Sequence, residues 1–354
     1  MKIRRILCAI LSLIMCLGLA ACGGQKPKED SSTPSTPSSG NTEPSAPSAE
    51  PEYVLKLGHA YAITDNQHVA AQMMADEVFE KTNGAVKIEI YPASQLGSTT
   101  ELIEAVYNGY QDIGVDSLNT LESFVPLCNL EAYPFLFDNT DQLVAFLNSD
   151  LCDELLAEIG GDDLILLGPQ MRGARMLQAT KAVRNLSDLR GLKIRTASMA
   201  ILNYPWEVLG AANTNMAYNE IYTGLQQKTI DGQENPLQSS YSMGFQDIEK
   251  YVMKTYHVIN FNAYFFNKKT FEALPSEYQA IIKEACENSA AWRTETELAS
   301  DAEYLRLFEE AGLEIVEVED LDKWKETLEE PLAKEFPYLQ EWVGRIREFN
   351  ATVK

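Results

Sequence analysis

Seven basic side chains crowd into one short stretch of an otherwise acidic chain. Arg172, Arg175, Lys181, Arg184, Arg190, Lys193 and Arg195 fall within 24 residues, opposed nearby only by Asp188. From Glu52 to Met171 the only basic residues are Lys56, Lys81 and Lys87. A chain of formal net charge −23 that gathers arginine in one place builds a local positive potential suited to a small anion. The planar guanidinium meets a carboxylate with two parallel hydrogen bonds, each contributing roughly 1.5–3 kcal/mol. Arg184 and Arg190 lie among turn residues (Asn185, Ser187, Asp188) and read as surface partners of acidic side chains. Arg195 is different, because it ends the apolar run Leu192-Lys193-Ile194-Arg195, and ligands bind at strand ends in open α/β sheets. A second polar cluster, Asp231-Gly232-Gln233-Glu234-Asn235-Pro236, reads as a tight turn that aims Gln233, Glu234 or Asn235 at one point. Catalytic patterns are missing. His59, His68 and His257 are the only histidines, and no zincin, nucleophile-elbow or P-loop motif occurs. His257, at the start of a strand, reads as a structural histidine. No enzyme activity, cofactor or metal is expected.

The elements that must hold these residues follow from periodicity. Val54–Gly58 and the alternating Val86–Tyr91 read as strands, with Asp112–Asp116 as a third. Between them lie two helices. One carries an apolar stripe through Ala71, Met74, Ala75, Val78 and Phe79, with Asp65 or Asn66 as cap. The other is capped by Thr99 or Thr100 and runs to Asn108. This βαβαβ rhythm predicts an open α/β sheet with right-handed crossovers. No Gly-x-Gly-x-x-Gly follows the first strand, so no dinucleotide site is expected. Further on, the pattern predicts a helix over Thr140–Ile159 and strands at Leu164–Leu167 and Leu192–Thr196. Helices follow at Ala200–Leu209 and Tyr218–Gln227, then a long strand at His257–Phe266. Pro275 to Gly312 has no internal proline or glycine. It reads either as one rod of about 50 Å at 1.5 Å per residue, long enough to brace two lobes, or as two helices broken near Ser289.

The amino-terminal end is an export signal. Lys2, Arg4 and Arg5 precede the uncharged apolar run Ile6–Ala21, shorter than the roughly 20 residues a spanning helix needs. The run ends in Leu19-Ala20-Ala21-Cys22, which resembles a bacterial lipoprotein signal cut before an acylated cysteine. Gly23–Pro51 then holds seven serines, six prolines and three threonines and no apolar period, so it reads as an unfolded tether. A coil of that length spans roughly 30 Å. The remaining 300 or so residues exceed a single core, predicting two lobes. The acidity excludes nucleic acid as a partner. Cys128, Cys152 and Cys286 are an odd, widely spaced set and read as buried free thiols.

Together these residues resemble the extracytoplasmic receptors of tripartite ATP-independent periplasmic (TRAP) transporters, of the dicarboxylate-receptor type. The resemblance runs from about Tyr53 to the C-terminus. It is carried by Tyr91-Pro92-Ala93-Ser94-Gln95-Leu96-Gly97, Gly173-Ala174-Arg175, Asp188-Leu189-Arg190-Gly191-Leu192-Lys193-Ile194-Arg195, Asp231–Pro236, and Asn267 with Leu274-Pro275. It implies an α/β, two-lobe periplasmic-binding-protein (Venus flytrap) fold with a long helix spanning both lobes. The implied roles are Arg195 as carboxylate clamp, Arg175 as a second ligand contact, Asn235 facing the ligand and Tyr218 packing on it. Asp116, Ser117, Ser198 and Ala60 complete the candidate ligand-binding set. Sialic-acid-binding members carry polar or acidic groups around the positions held here by Ala60, Ser98 and Ser117, which argues against that ligand.

The expected division is 1–21 signal peptide and 22–51 lipidated Cys22 with tether. Lobe I takes 52–172 plus about 261–300, and lobe II takes 173–260 plus about 301–354. The expected function is capture of a small organic acid, such as a C4-dicarboxylate, uronate or other sugar acid. The acid passes to TRAP permease subunits, driven by a sodium gradient, from a receptor lipid-anchored to the outer face of the membrane. The alternatives are a receptor for an ATP-driven importer, a surface hydrolase, or an adhesion lipoprotein.

Overall fold

The computed structural model describes residues 50–353, so the expected signal peptide, Cys22 and nearly all of the tether lie outside the described residues. The chain begins with β1 (Tyr53–Gly58), α1 (Asn66–Lys81), β2 (Val86–Tyr91), α2 (Thr99–Tyr107) and β3 (Ile113–Ser117). β1 pairs in parallel with both β2 and β3, as the βαβαβ rhythm predicts. Asp65 caps α1 by accepting from the Gln67 amide. The α2 cap is Ser98, not Thr99 or Thr100. Ser98 and Glu101 form a reciprocal capping box, which leaves the Thr99 hydroxyl free for another partner.

The expected helix over Thr140–Ile159 is two helices, α3 (Thr140–Leu147) and α4 (Asp150–Gly160). Asn148 ends the first, and the Ser149 hydroxyl caps the second. β4 (Leu164–Ala179) is four times longer than the apolar run Leu164–Leu167 suggested. β5 (Lys193–Thr196), α5 (Ala200–Val208), β6 (Ala212–Asn215) and α6 (Ile221–Gln226) follow. Next comes β7 (Gly232–Pro236), a buried strand where a turn was expected. It is paired antiparallel to β4 and parallel to β5. The chain continues through α7 (Leu237–Ser242), β8 (Tyr251–Asn267) and α8 (Lys268–Glu272). It ends with α9 (Ser276–Glu310), β9 (Glu314–Glu317), α10 (Leu321–Glu335) and α11 (Gln340–Asn350).

One sheet carries all nine strands, in the order β2-β1-β3-β8-β4-β7-β5-β6, with β9 on β8. The long strands β4 and β8 join its two ends. Leu164–Leu167 of β4 pairs with the end of β8 that meets β3, and Arg175–Ala179 pairs with β7. The β4–β8 ladder slips at three places, one between Met171 and Gly173, where Gly173 adopts φ +109°. That φ belongs to glycine, and the slip changes which face of the sheet each later residue occupies.

α9 is one unbroken helix of 35 residues. Ser289 does not break it, because its hydroxyl bonds back to the Cys286 carbonyl and to Tyr264. α9 meets α1 through Asn288–Glu77 and Lys81–Glu284 contacts, and α7 through Tyr304 and Phe308 against Tyr241. It therefore runs along both ends of the sheet. β4 passes so close to it that a Cβ at Gly168 would sit 2.6 Å from the Cys286 carbonyl oxygen. α10 packs on α5, and α11 packs on α3, which lies against the central strands β4 and β8. Cys128, Cys152 and Cys286 are buried free thiols, as expected. No described helix is long and apolar enough to cross a membrane.

Candidate functional site

A cavity of about 200 Å³ opens where the carboxyl ends of several strands converge. The segment after β1 supplies Ala60 and Tyr61, and the end of β3 supplies Asp116 and Ser117. β5 and the turn after it supply Arg195 and Ser198. The segment after β6 supplies Met216 and Tyr218, β7 supplies Asn235, and β4 supplies Arg172 and Arg175. All eight residues singled out from the sequence for ligand binding line this one cavity. Its size lies below the roughly 300–1,000 Å³ of drug-sized pockets, which suits a metabolite.

The three arginines differ in what holds them. Arg175 is forked onto Glu234. Its Nε donates to Oε2 at 2.5 Å, and its Nη2 donates to Oε1 and to the Glu234 carbonyl, both at 2.6 Å. Among the described residues, only its Nη1 finds no hydrogen-bond partner. Burial opposes a charge on Glu234, but Arg175 and His257 hold its carboxyl down at about 2. His257 Nε2 lies 3.1 Å from Glu234, and its Nδ1 lies 2.8 Å from the Thr255 hydroxyl. Both ring nitrogens are thus satisfied, as a structural histidine requires.

Arg195 has no carboxylate partner among the described residues. Its Nε and Nη2 donate to the Met216 carbonyl oxygen at 3.0 and 2.7 Å, which fixes the guanidinium at the cavity edge and leaves Nη1 with no partner among the described residues. Burial, together with Arg175 and Arg172, pulls Arg195 down to about 10, with Glu234 resisting. An empty site with such a group is costly to hold charged, and that cost is relieved by an arriving anion.

Arg172 belonged to the basic cluster but nothing in the sequence set it apart. Its Nη1 donates to the Ser117 hydroxyl at 3.0 Å, and its Nη2 donates to Asn235 Oδ1 at 3.3 Å. The guanidinium sits 5.5 Å from the centre of the Tyr61 ring. Asp116 accepts from the Tyr61 hydroxyl at 2.6 Å and from Thr99 at 3.1 Å, the bond that the Ser98 cap made available. Asn235 also donates to Gln233 at 2.6 Å. The alternation of β7 separates what a turn would have converged. Asn235 borders the cavity, while Glu234 lies outside its lining and serves Arg175. The Tyr218 hydroxyl is spent on the Ser239 carbonyl, so its ring, 6.0 Å from that of Tyr61, is what it offers a guest. Of the two arginines read as surface partners, Arg184 pairs with Glu314.

The loop that carries Tyr61 is fastened by two histidines. The Tyr61 amide donates to His59 Nδ1 at 3.2 Å, and His59 Nε2 lies 3.2 Å from His68 Nδ1. A backbone amide can only donate, so Nδ1 accepts and Nε2 carries the proton toward His68. Burial first, and His68 second, push His59 down to about 3. The folded state therefore keeps it neutral, and its contribution to stability is full above pH 6.5 and is lost as pH falls toward 3. Between pH 7 and 5 that loss is about 2 kcal/mol. Glu131 and Glu297, raised to about 7 by burial, titrate in the opposite sense, so the test is a difference. Urea midpoints of wild type and His59→Gln at both pH values should show the wild type losing about 2 kcal/mol more. Equal losses would sink this account of His59.

The sequence and the fold also match known proteins. The family model for bacterial extracellular solute-binding proteins, family 7 (DctP), matches residues 57–337. The 2,3-diketo-L-gulonate-binding periplasmic protein YiaO of Escherichia coli (strain K12) is 30% identical over 270 residues, 76% of this chain and 82% of that protein. The sialic acid-binding periplasmic protein SiaP of Vibrio cholerae is 27% identical over 80% of this chain and 88% of its own length. A TRAP periplasmic solute-binding protein from Xanthobacter autotrophicus Py2, solved with β-D-galacturonate, superposes with a TM-score of 0.79 at 29% identity. It covers 83% of this chain and 99% of that one.

Proposed function

Since this chain belongs to the bacterial extracellular solute-binding protein family 7, we propose that the organic acid it captures is a hydroxylated monocarboxylate. The class is a six-carbon sugar acid of the uronate or aldonate kind, delivered to the membrane subunits of a TRAP-type secondary transporter. The observation that carries this reading is the charge arrangement of the cavity. Arg175 is paired with Glu234, and Arg172, with Asp116 nearby, is bonded to the Ser117 and Asn235 side chains, whereas Arg195, which feels Glu234 without a salt bridge to it, is bonded only to a backbone carbonyl among the described residues. One unpaired positive charge calls for one carboxylate. Asp116, with Thr99, Thr120 and Ser198 around the same cavity, suits hydroxyl groups and repels a second carboxylate. YiaO and the Xanthobacter protein, whose names and contents specify 2,3-diketo-L-gulonate and galacturonate, are relatives of that kind.

The solute acts as a wedge between two states. One lobe comprises 52–172 with about 261–300, the other 173–260 with about 301–354, and β4 passes between them near Gly173. The Gly173 φ and the adjacent register slip support that boundary. A solute whose carboxylate is held by Arg195 brings its hydroxyls to Asp116 and its carbon skeleton to Tyr61 only when the lobes are closed, and this difference shifts the population to the closed form. Anchoring through an acylated Cys22 rests on the position of that cysteine directly after the apolar run.

The test is a thermal-shift series with D-galacturonate, L-galactonate and succinate. Saturation at a hundred times Kd adds about 2.7 kcal/mol. The sugar acids are expected to raise Tm by several degrees and succinate to leave it nearly unchanged. A strong response to succinate with none to the sugar acids would overturn the monocarboxylate assignment.

A further inference from the structure

Arg172 lies three residues before Arg175, and on an uninterrupted strand residues an odd number apart face opposite sides of the sheet. The slip between Met171 and Gly173 cancels that rule and brings both guanidinium groups to one cavity. Arg172 is buried, yet among the described residues it makes only two hydrogen bonds from five N–H groups, to Ser117 and Asn235. Its Nε is buried and has no acceptor among the described residues. Buried guanidinium groups are seldom left so under-used. Its position is also distinct from that of Arg195. Arg172 reaches toward Ser117 of β3, while Arg195 is tied to the carbonyl of Met216 just past β6. In the strand order β3-β8-β4-β7-β5-β6, those anchors belong to opposite ends of the row.

We propose that Arg172 is the specificity-determining residue of the cavity. It donates to neutral hydroxyl oxygens on the part of the solute remote from the carboxylate, and so selects among sugar acids that differ in one hydroxyl. Asp116 is the matching acceptor, since among the described residues its Oδ2 is engaged only by Thr99. A hydroxyl that accepts from Arg172 and donates to Asp116 satisfies both groups, whereas its epimer leaves both wanting. Sites built this way discriminate strongly, because the wrong ligand strands buried polar groups.

This inference rests on the reading of the cavity as a sugar-acid site, and the experiment separates the two. Titration calorimetry compares D-galacturonate with D-glucuronate, which differ at a single hydroxyl, on wild type, Arg172→Gln, Arg172→Lys and Arg195→Lys. Wild type is expected to prefer one epimer by tenfold or more. Arg172→Gln should reduce that preference to within threefold, with Arg172→Lys intermediate. Arg195→Lys should weaken both epimers by the same factor. A purely structural strut would lower the unliganded Tm and weaken both epimers equally, leaving the preference intact, and that result overturns the proposal. So does an Arg172→Gln variant with wild-type affinities. Failure of the wild type to bind either acid would instead defeat the sugar-acid reading itself, and this inference with it.

Discussion

Replacing Arg195 with alanine is expected to weaken sugar-acid binding by about thirty- to several-thousand-fold while leaving the unliganded protein at least as stable as wild type. Two terms set the first part. A carboxylate on Arg195 is held by charge-assisted hydrogen bonds in a site shielded from water. Truncating one partner of such a pair costs roughly 2–5 kcal/mol or more, and each 1.4 kcal/mol is tenfold in Kd. The second part follows from the free protein. Arg195 is buried, has no carboxylate partner among the described residues and is pulled down to about 10 by burial and by its arginine neighbours. Removing it relieves an unfavourable charge and leaves only the Met216 carbonyl to be resatisfied. Function and stability should therefore separate, as they do where a site is held ready at a cost to the fold. Calorimetric titration gives the affinity, and scanning calorimetry without ligand gives the stability. Wild-type affinity in Arg195→Ala would remove the clamp from the mechanism.

Glu234→Gln should do the reverse, destabilising the protein whether or not solute is present. The substitution keeps the shape of the side chain and removes the charge that both Arg175 and His257 face. Arg175 is then a buried guanidinium without a counter-charge, and breaking one side of a buried ion pair costs about 3–5 kcal/mol. At roughly 2–4 °C per kcal/mol for a chain of this class, Tm should fall by about 10 °C. Replacing the pair together is milder, because no orphaned charge remains. The double variant Arg175→Met/Glu234→Gln is expected to recover part of the loss, and the recovery measures the coupling. A Glu234→Gln variant that melts within a degree or two of wild type would show that Arg175 finds another partner, and the pairing described here would carry little energy.

These two residues also mark the boundary between local and non-local information. Arg195 was legible because it ends a short apolar strand whose neighbours, Asp188 and Gly191, punctuate it. The structure keeps that strand as β5. Glu234 was legible only as one of three polar residues in a segment that reads as a turn. It became a strand because β4 and β5 flank it. A Cβ at Gly232 would collide with the Gln178 carbonyl oxygen, so the glycine there serves close strand packing, not a bend. Propensity spoke for a turn, and tertiary pairing overrode it.

By itself the sequence determined the α/β alternation, the long stretch free of proline and glycine that became α9, and the gathering of arginine in an acidic chain. Each of these is a property of composition or of a period no longer than a few residues. What only the tertiary structure decided is the assignment of the three arginines. Arg175 is bound to a glutamate 59 residues away, Arg195 is left open, and Arg172 is turned into the same cavity by a one-residue slip against β8. Which face a strand residue takes depends on its register with a partner strand some 90 positions away in the chain, and no local pattern encodes that count.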